Sequence, residues 1–560
     1  MNNNLLSTTK VLQVFFLLIL LVYIPGLLVP LMDNDSAHHA GIGLHMYLTG
    51  NYAFLMDLDQ PYLDKPHLLF WLSALSYKTF GVNTFAYKFP SFLFTVLCVY
   101  STYRLGSLLY NKNAGRLAAL ILASSCAFVL ANNDVRMEAI LTGSMTFAIW
   151  QLCAYIARPS IPHLMLAALG LALGFSTKGM IGVVIPAVAI FLHLLYHRNW
   201  KMLFHWKWLL LVFFFALFIS PVVYCYYLQY DLHPETAVRG MKNISGVKFI
   251  LWNQNIERMK GEGHTQKHKD FFFFFHTFLW AFLPWSLAAV VAVASRIRTV
   301  IRSGFSQIRT FDFLTLGAIV FFMLFFSFSS FKLPHYLNCL FPLFAILLGG
   351  YLVEKDSRNK NIRLLWILQL ISVILAILAA LALNLWAFPV SNMAVIILLL
   401  VIAAMCIGSI FLKTTLFNKM LAFTFSGSLL IFASLNLNFY PQLLKYQAGN
   451  ELAFKTQNLP INPREVYLFM PGDYSFSYDF YTAYQHPEVT REAVGNLLKG
   501  KKSVWLFTSA EGKSYLENHH FPITRVFENK DYRISILTPK FLNPATREKV
   551  LTTTYLIKLF

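Results

Sequence analysis

The residues able to do chemistry in this chain stand at the edges of apolar runs. "LMDNDSAHHAGIGLHMYLTGNY" puts Asp33 and Asp35 directly after the first run, and "QPYLDKPHLLFW" puts Asp64 and Lys65 ahead of Pro66, with Asp57 and Asp59 just upstream. "NNDVRMEAILTG" brings Asp134, Arg136 and Glu138 to the join of two more runs. Cations recur at similar borders: Lys178 in "FSTKGMIG", Arg258 in "LWNQNIERMKGEG", and Lys332 with His335 in "FKLPHYLN". A carboxylate held there can act as a general base, while fixed cations neutralise a phosphate that leaves as a stable anion. The combination suits transfer of a group from a lipid phosphate to a hydroxyl, with no nucleotide required.

Each cluster also has a purely structural reading. Asp33 or Asp35 can cap a helix in which Ala40, Ile42, Leu44, Met46 and Leu48 alternate with small or polar residues, a pattern that fits a helix lying on the membrane surface. Asp64 and Lys65 can sit in a solvated turn, since the residue before a proline is pushed to an extended conformation. Asp134, Arg136 and Glu138 can form an ion pair that merely closes a turn. Lys178, Arg258 and Lys332 can snorkel to the interface, although three cations on the side that orientation leaves poor in Lys and Arg argue for a bound anion.

The elements that must position these groups are membrane spans. The chain has 560 residues, 57% hydrophobic and only 13% charged. Apolar windows of spanning length predict about thirteen helices. They fall at 11–31, 85–108, 114–132, 139–157, 162–177, 180–197, 208–228, 271–295, 311–330, 334–353, 363–386, 391–412 and 418–439. The interruption "STKGM" between the fifth and sixth leaves a re-entrant pair open.

With the N-terminus in the cytoplasm, the basic connections 104–116, 197–207, 296–309, 355–363 and 413–419 all become cytoplasmic. The formal charge of +20 is thereby explained by orientation, and nucleic-acid binding is excluded as its cause. Residues 32–84, 133–138 and 229–270 and everything after about 440 then face outward. The six cysteines lie within or at the ends of apolar segments, without the spacing of a disulfide framework or thiolate metal site. The first apolar run follows Lys10, exceeds a signal-peptide core in length and lacks a small-x-small cleavage site, so it reads as a retained span.

Two regions follow: a transmembrane catalytic domain, 1–440, with outer loops 32–84 and 229–270, and an outer α/β domain, 441–560. In the latter, "REVYLFM", "KSVWLFTS" and "YRISILTP" read as strands, alternating with helices in "TREAVGNLLKG" and "GKSYLENHHF". The loop 229–270 is expected to cover a bound donor and exclude water. No nucleotide loop or fixed-period repeat is present in the sequence.

These motifs resemble those of the polyprenyl-phosphate-sugar-dependent type C membrane glycosyltransferases, closest to the aminoarabinose transferases that modify lipid A and related to protein O-mannosyltransferases. "DSAHHAGIGLHMYLTGNY" with "YLDKPHLLFWLSALSYKTFG", "RMEAILT", "STKGMIGVVIP", and "LWNQNIERMKGEGHTQKHKDFFFFFHTFLWAFLPW" with "FKLPHYLNCLFPLFAILLG" carry the likeness across most of the membrane region. The resemblance implies that Asp35 is the base and that Asp64 and Glu138 orient acceptor or donor. It implies donor-phosphate contacts from Lys65, Lys178, Arg258 and Lys332, and inversion by single displacement. Ser36 stands where the family has Glu and His39 where it has Tyr; Asp64, Lys65 and Pro66 replace Glu-Lys-Pro.

Some relatives carry a divalent ion near the first-loop acids. Here Asn253 occupies the place of one His ligand, with His264 and His268 as alternatives that also read as surface loop residues, so no metal or other cofactor is assigned. The implied donor is an undecaprenyl-phosphate sugar, the acceptor lipid A or another envelope glycan or protein, and the setting the bacterial inner membrane. The outer domain would be periplasmic and the enzyme a monomer. A lipid flippase or transporter is the competing class; it calls for inverted repeats and charges deep within spans, whereas the ionisable groups here crowd one rim. A glycan ligase, polymerase or protein O-glycosyltransferase on the same carrier is the further alternative.

Overall fold

Inside hydrocarbon a chain must satisfy its backbone N–H and C=O groups within each segment, so the apolar windows become helices. The computed structural model describes residues 4–33, 35–254, 256–257, 270–306, 312–358, 362–472, 474–498 and 503–559. The first helices are α1 (Asn4–Leu28), α2 (Asp35–Thr49), α3 (Leu68–Phe80), α4 (Thr84–Leu109), α5 (Lys112–Ala123), α6 (Cys126–Asn133), α7 (Glu138–Ala157), α8 (Ile161–Lys178) and α9 (Ile181–Tyr196).

Among the described residues eight helices are long and apolar enough to cross a membrane, or nine if α5 and α6, bent by 53°, form one span. Three further apolar helices, Leu12–Leu28, Ile181–Tyr196 and Phe313–Ser327, are shorter. The expected window 271–295 is divided into Phe273–Ala281 and Ser286–Arg302. The chain is a polytopic helical membrane protein with a small α/β unit at its C-terminal end. Its spans differ in burial: the best window of α7 is 83% buried, whereas that of Met393–Phe411 is 11% buried and leaves its apolar side chains on the outside of the bundle.

Two local devices fix the end of the bundle where the acids lie. Lys88, fully buried in α4, donates from Nζ to the carbonyls of Gly26 (3.1 Å), Val29 (2.6 Å) and Asn133 (2.6 Å), which satisfies carbonyls left open at the ends of α1 and α6. Between α8 and α9 the chain reverses at Gly179, whose φ of 73° suits glycine and whose absent side chain leaves room for Gln254. The "STKGM" interruption is thus a tight turn between two packed helices, and it presents Lys178 at the end of α8.

Besides the two-stranded ribbon of β1 (Met56–Asp57) and β2 (Gln60–Pro61) in the first loop, the C-terminal sheet has the order β4 (Glu488–Val489), β3 (Val466–Phe469), β5 (Val504–Ser509), β7 (Thr552–Leu559), β6 (Ile523–Asp531). β3 runs parallel to β4 and β5, while β7 is antiparallel to β5 and β6. The expected strand in "YRISILTP" is not one; the last two strands lie on either side of it. Its apolar residues are spent on docking: Ile534 joins a buried cluster with Phe388 and Phe439 of the membrane helices, and Tyr532 stacks on Phe541 at 3.8 Å.

Candidate functional site

α2 begins at Asp35, and it does not lie loose on a surface. Its small and apolar residues as far as Met46 are buried, with Leu48 exposed near its end, and it packs between α3 and the helix Phe476–Thr482 of the C-terminal unit. Asp35 accepts from Nη1 of Arg136 at 2.6 Å, and the same guanidinium donates from Nε to Asp134 at 2.9 Å. Burial pushes the Asp35 carboxyl up, but the charge of Arg136, with smaller help from Lys65, outweighs it and holds the group below the usual carboxylate range. Burial also keeps His39 neutral, pushed down to about 3. Asp35 is therefore ionised and ready to accept a proton, yet half exposed to the cavity beside it.

That cavity has a volume of about 360 Å³ and is lined by Asp35, Asp64, Lys65, Arg136, Glu138, Lys178 and His335, together with His38, His39, Tyr62, Arg239, Gln254, Glu257 and Tyr336. Glu138 at the start of α7 and Lys178 at the end of α8 form a buried ion pair 2.5 Å apart, and His335 Nε2 is 3.5 Å from the same carboxylate oxygen. Lys178 also lies 4.6 Å from the Tyr336 ring centroid. A second cavity of about 500 Å³ shares Glu138, Lys178, Phe331, His335 and Tyr336 with the first. Its other walls are almost wholly apolar, among them Leu141, Ile181, Val184, Trp252, Phe274 and Phe325. A polar chamber bearing both charges therefore adjoins an apolar groove across these shared residues.

The first loop reaches the chamber because buried side chains clamp it. Gln229 both accepts from the Leu55 amide (2.9 Å) and donates to its carbonyl (2.7 Å), while Gln254 donates to the Asp64 carbonyl at 2.7 Å. Asp64 itself pairs with Arg239, which also contacts Glu257 at 3.0 Å. Arg239 sits in a tight turn closed by Val238 and Met241, with a φ of 52° that side-chain-bearing residues seldom adopt.

The structure thus brings Asp35, Asp64, Lys65, Glu138 and Lys178 to one chamber. Lys332 is not part of it: the side chain is buried and its Nζ donates to the Asp270 carbonyl at 2.5 Å, so its neighbours Phe331 and Leu333 line the chamber instead. Arg258, His264 and His268 lie outside the described residues. Arg239 was missed by sequence reasoning, although the signal that singled out Arg258, a cation in the 229–270 loop, applies to it equally. Among the described residues no group of three or more His, Cys, Asp or Glu side chains is arranged to hold a metal ion.

A prediction follows from the Asp35–Arg136 pair. Arg136→Gln removes the largest influence that lowers the Asp35 pKa, so the acid limb of the pH profile for kcat/KM should move to higher pH. An unmoved acid limb in that variant would contradict the pairing as the source of the low pKa.

The dolichyl-phosphate-mannose-protein mannosyltransferase family matches residues 64–225. Two curated relatives are named undecaprenyl phosphate-alpha-4-amino-4-deoxy-L-arabinose arabinosyl transferase. That of Edwardsiella ictaluri is 28% identical over 64% of this chain and 62% of its own, and that of Pseudomonas aeruginosa strain UCBPP-PA14 is 27% identical over 67% of each. The chain thus spans less than two thirds of the first relative and about two thirds of the second. The crystal structure of ArnT from Cupriavidus metallidurans bound to undecaprenyl phosphate superposes with a TM-score of 0.72 at 16% identity over 98% of both chains, which establishes the shared fold. In sequence and in fold the chain resembles the polyprenyl-phosphate-sugar-dependent type C membrane glycosyltransferases, and among them the aminoarabinose transferases.

Proposed function

We propose that this chain is a glycosyltransferase of the bacterial inner membrane that moves a sugar from undecaprenyl phosphate to a hydroxyl of an envelope acceptor such as lipid A, working as a monomer with its C-terminal α/β domain (441–560) in the periplasm. The observation that carries the reading is a pair of cavities that share Glu138 and Lys178 in their walls: the charged chamber suits a sugar phosphate, and the apolar groove suits the polyprenyl chain. Nothing in this chemistry needs a nucleotide, because the donor phosphate leaves as a stable anion.

In the proposed reaction the acceptor oxygen attacks the anomeric carbon on the face opposite the phosphate. Asp35 takes the hydroxyl proton as the new C–O bond forms, and the electron pair of the breaking bond passes to the phosphate oxygen. The product is inverted at that carbon. Lys178 and Lys65, with Arg258 from the 229–270 loop, are assigned to the phosphate charge. Lys332 is left out of that role, since its Nζ donates to the Asp270 carbonyl and the residue does not line the chamber. Glu138 holds Lys178 in place, and Asp64 holds Arg239 at the chamber wall.

The test is transfer by purified protein in liposomes, offered undecaprenyl-phosphate sugars including 4-amino-4-deoxy-L-arabinose, with lipid A or an envelope-lipid extract as acceptor. Labelled sugar should appear on a new lipid, with inversion at the anomeric carbon. Movement of intact labelled donor across the bilayer without transfer would replace this reading with that of a flippase.

A further inference from the structure

The reading of Asp35 as the base leaves open what the C-terminal domain does, and the hydrogen bonds around residues 31–33 bear on that. Asp33 stands two residues before Asp35 and accepts from the Ser477 amide (3.0 Å), the Ser477 hydroxyl (2.7 Å) and the Ser475 hydroxyl (3.2 Å). Its own amide donates to Gln447 Oε1 at 2.8 Å. The Leu31 carbonyl accepts from Gln447 (2.9 Å) and Asn450 (3.2 Å), and the Leu31 amide donates to the Tyr481 hydroxyl at 2.8 Å. All of these partners belong to the C-terminal region. The Met32 carbonyl in turn accepts from the Ala37 amide at 3.1 Å, so the tethered segment is built into the first turn of α2.

Packing continues the same contact along α2. Phe476 lies against His38 with ring centroids 4.4 Å apart, and His38 lines the chamber. Phe480, fully buried, shares a core with Ala37, Ala40 and Leu44 of α2 and with Val135, the neighbour of Arg136. Further along, His45 meets Gln485 at 2.6 Å. α2 is thus gripped on its approach, its middle and its far half by one domain, while α3 backs its other side.

We infer that the C-terminal domain is a positioning element for the base: Ser475, Ser477 and Gln447 fix Asp33, and through it the start of α2 that carries Asp35. The inference rests on the assignment of Asp35 above. None of the three side chains lines the chamber, so they act through Asp33 and not on substrate. The geometry at stake is fine, because a shift of about 1 Å in a reacting group can cost roughly a hundredfold in rate.

The test compares wild type, Ser475→Ala/Ser477→Ala, Ser477→Thr and Asp35→Asn in two assays: binding of undecaprenyl phosphate, and single-turnover sugar transfer at saturating donor. The expected result for the double variant is a transfer rate lowered roughly tenfold to a hundredfold with donor affinity unchanged, and Ser477→Thr, which keeps the hydroxyl, should stay near wild type. A double variant that transfers at the wild-type rate per donor-binding molecule, even at reduced yield, overturns the inference alone. Retained transfer by Asp35→Asn overturns the base assignment and this inference with it. Should the double variant yield no donor-binding protein, Gln447→Leu, which removes only the bonds to the Asp33 amide, the Leu31 carbonyl and Asn450, is scored by the same rule.

Discussion

Asp35→Asn is expected to slow sugar transfer by about a thousandfold while leaving the folded yield and donor binding close to wild type, since a positioned general base contributes roughly 10²–10⁴ in rate. The small structural effect follows from the pairing. Asn keeps the size of the side chain, and Arg136, which loses one carboxylate, still donates to Asp134 at 2.9 Å and is left without an unmet charge. The side chain of Asp35 is half exposed, so removing its charge uncovers no buried partner. The measurement is single-turnover transfer in liposomes beside a donor-binding curve for the same preparation. Transfer within a few-fold of wild type would remove Asp35 from the reaction, and with it the proposed displacement.

How far this arrangement was legible in the sequence depends on the range of the interaction. Acids and cations at the ends of apolar runs stand out because hydrocarbon excludes them, and the orientation of basic loops then assigns them to one end of the bundle. That reasoning found Asp35, Asp64, Lys65, Glu138 and Lys178, which the fold brings to one chamber. It has no means of telling which way a side chain turns. Lys332 has the same local signature as Lys178, yet a backbone carbonyl 62 positions away takes its amine. Arg239 reaches the chamber only because a two-residue turn aims it there, a property of backbone dihedrals that composition does not carry.

The C-terminal region shows the same limit from another side. β3 and β5 are short apolar runs, fully or mostly buried, and are readable as strands. β6, "ITRVFENKD", is an edge strand with largely exposed residues, so its burial pattern gives little signal. "YRISILTP" carries the apolar signature of a strand but uses it to dock on the membrane helices, a choice that depends on Phe388 and Phe439 far away in sequence. The tether at Asp33 was open to a simple misreading for the same reason. As a capping residue it looks local, whereas its acceptors are met by Ser475 and Ser477 more than 400 positions on.

The second large effect is expected at the buried pair between α7 and α8. Lys178→Met should destabilise the protein by about 3–5 kcal/mol, because removing one member of a buried ion pair strands the other. Both side chains are well buried, with 9% of Lys178 and 6% of Glu138 exposed, and His335 lies 3.5 Å from the same carboxylate oxygen. Glu138→Gln/Lys178→Met should recover most of the loss, since no buried charge is then unpaired, and the two substitutions should be strongly non-additive in a double-mutant cycle of thermal unfolding in detergent. Activity should not follow stability. If Lys178 faces the donor phosphate as proposed, the double variant regains its fold but not its transfer rate. A double variant restored in both would make the pair a structural brace alone, and would move the phosphate contact to Lys65 and the 229–270 loop.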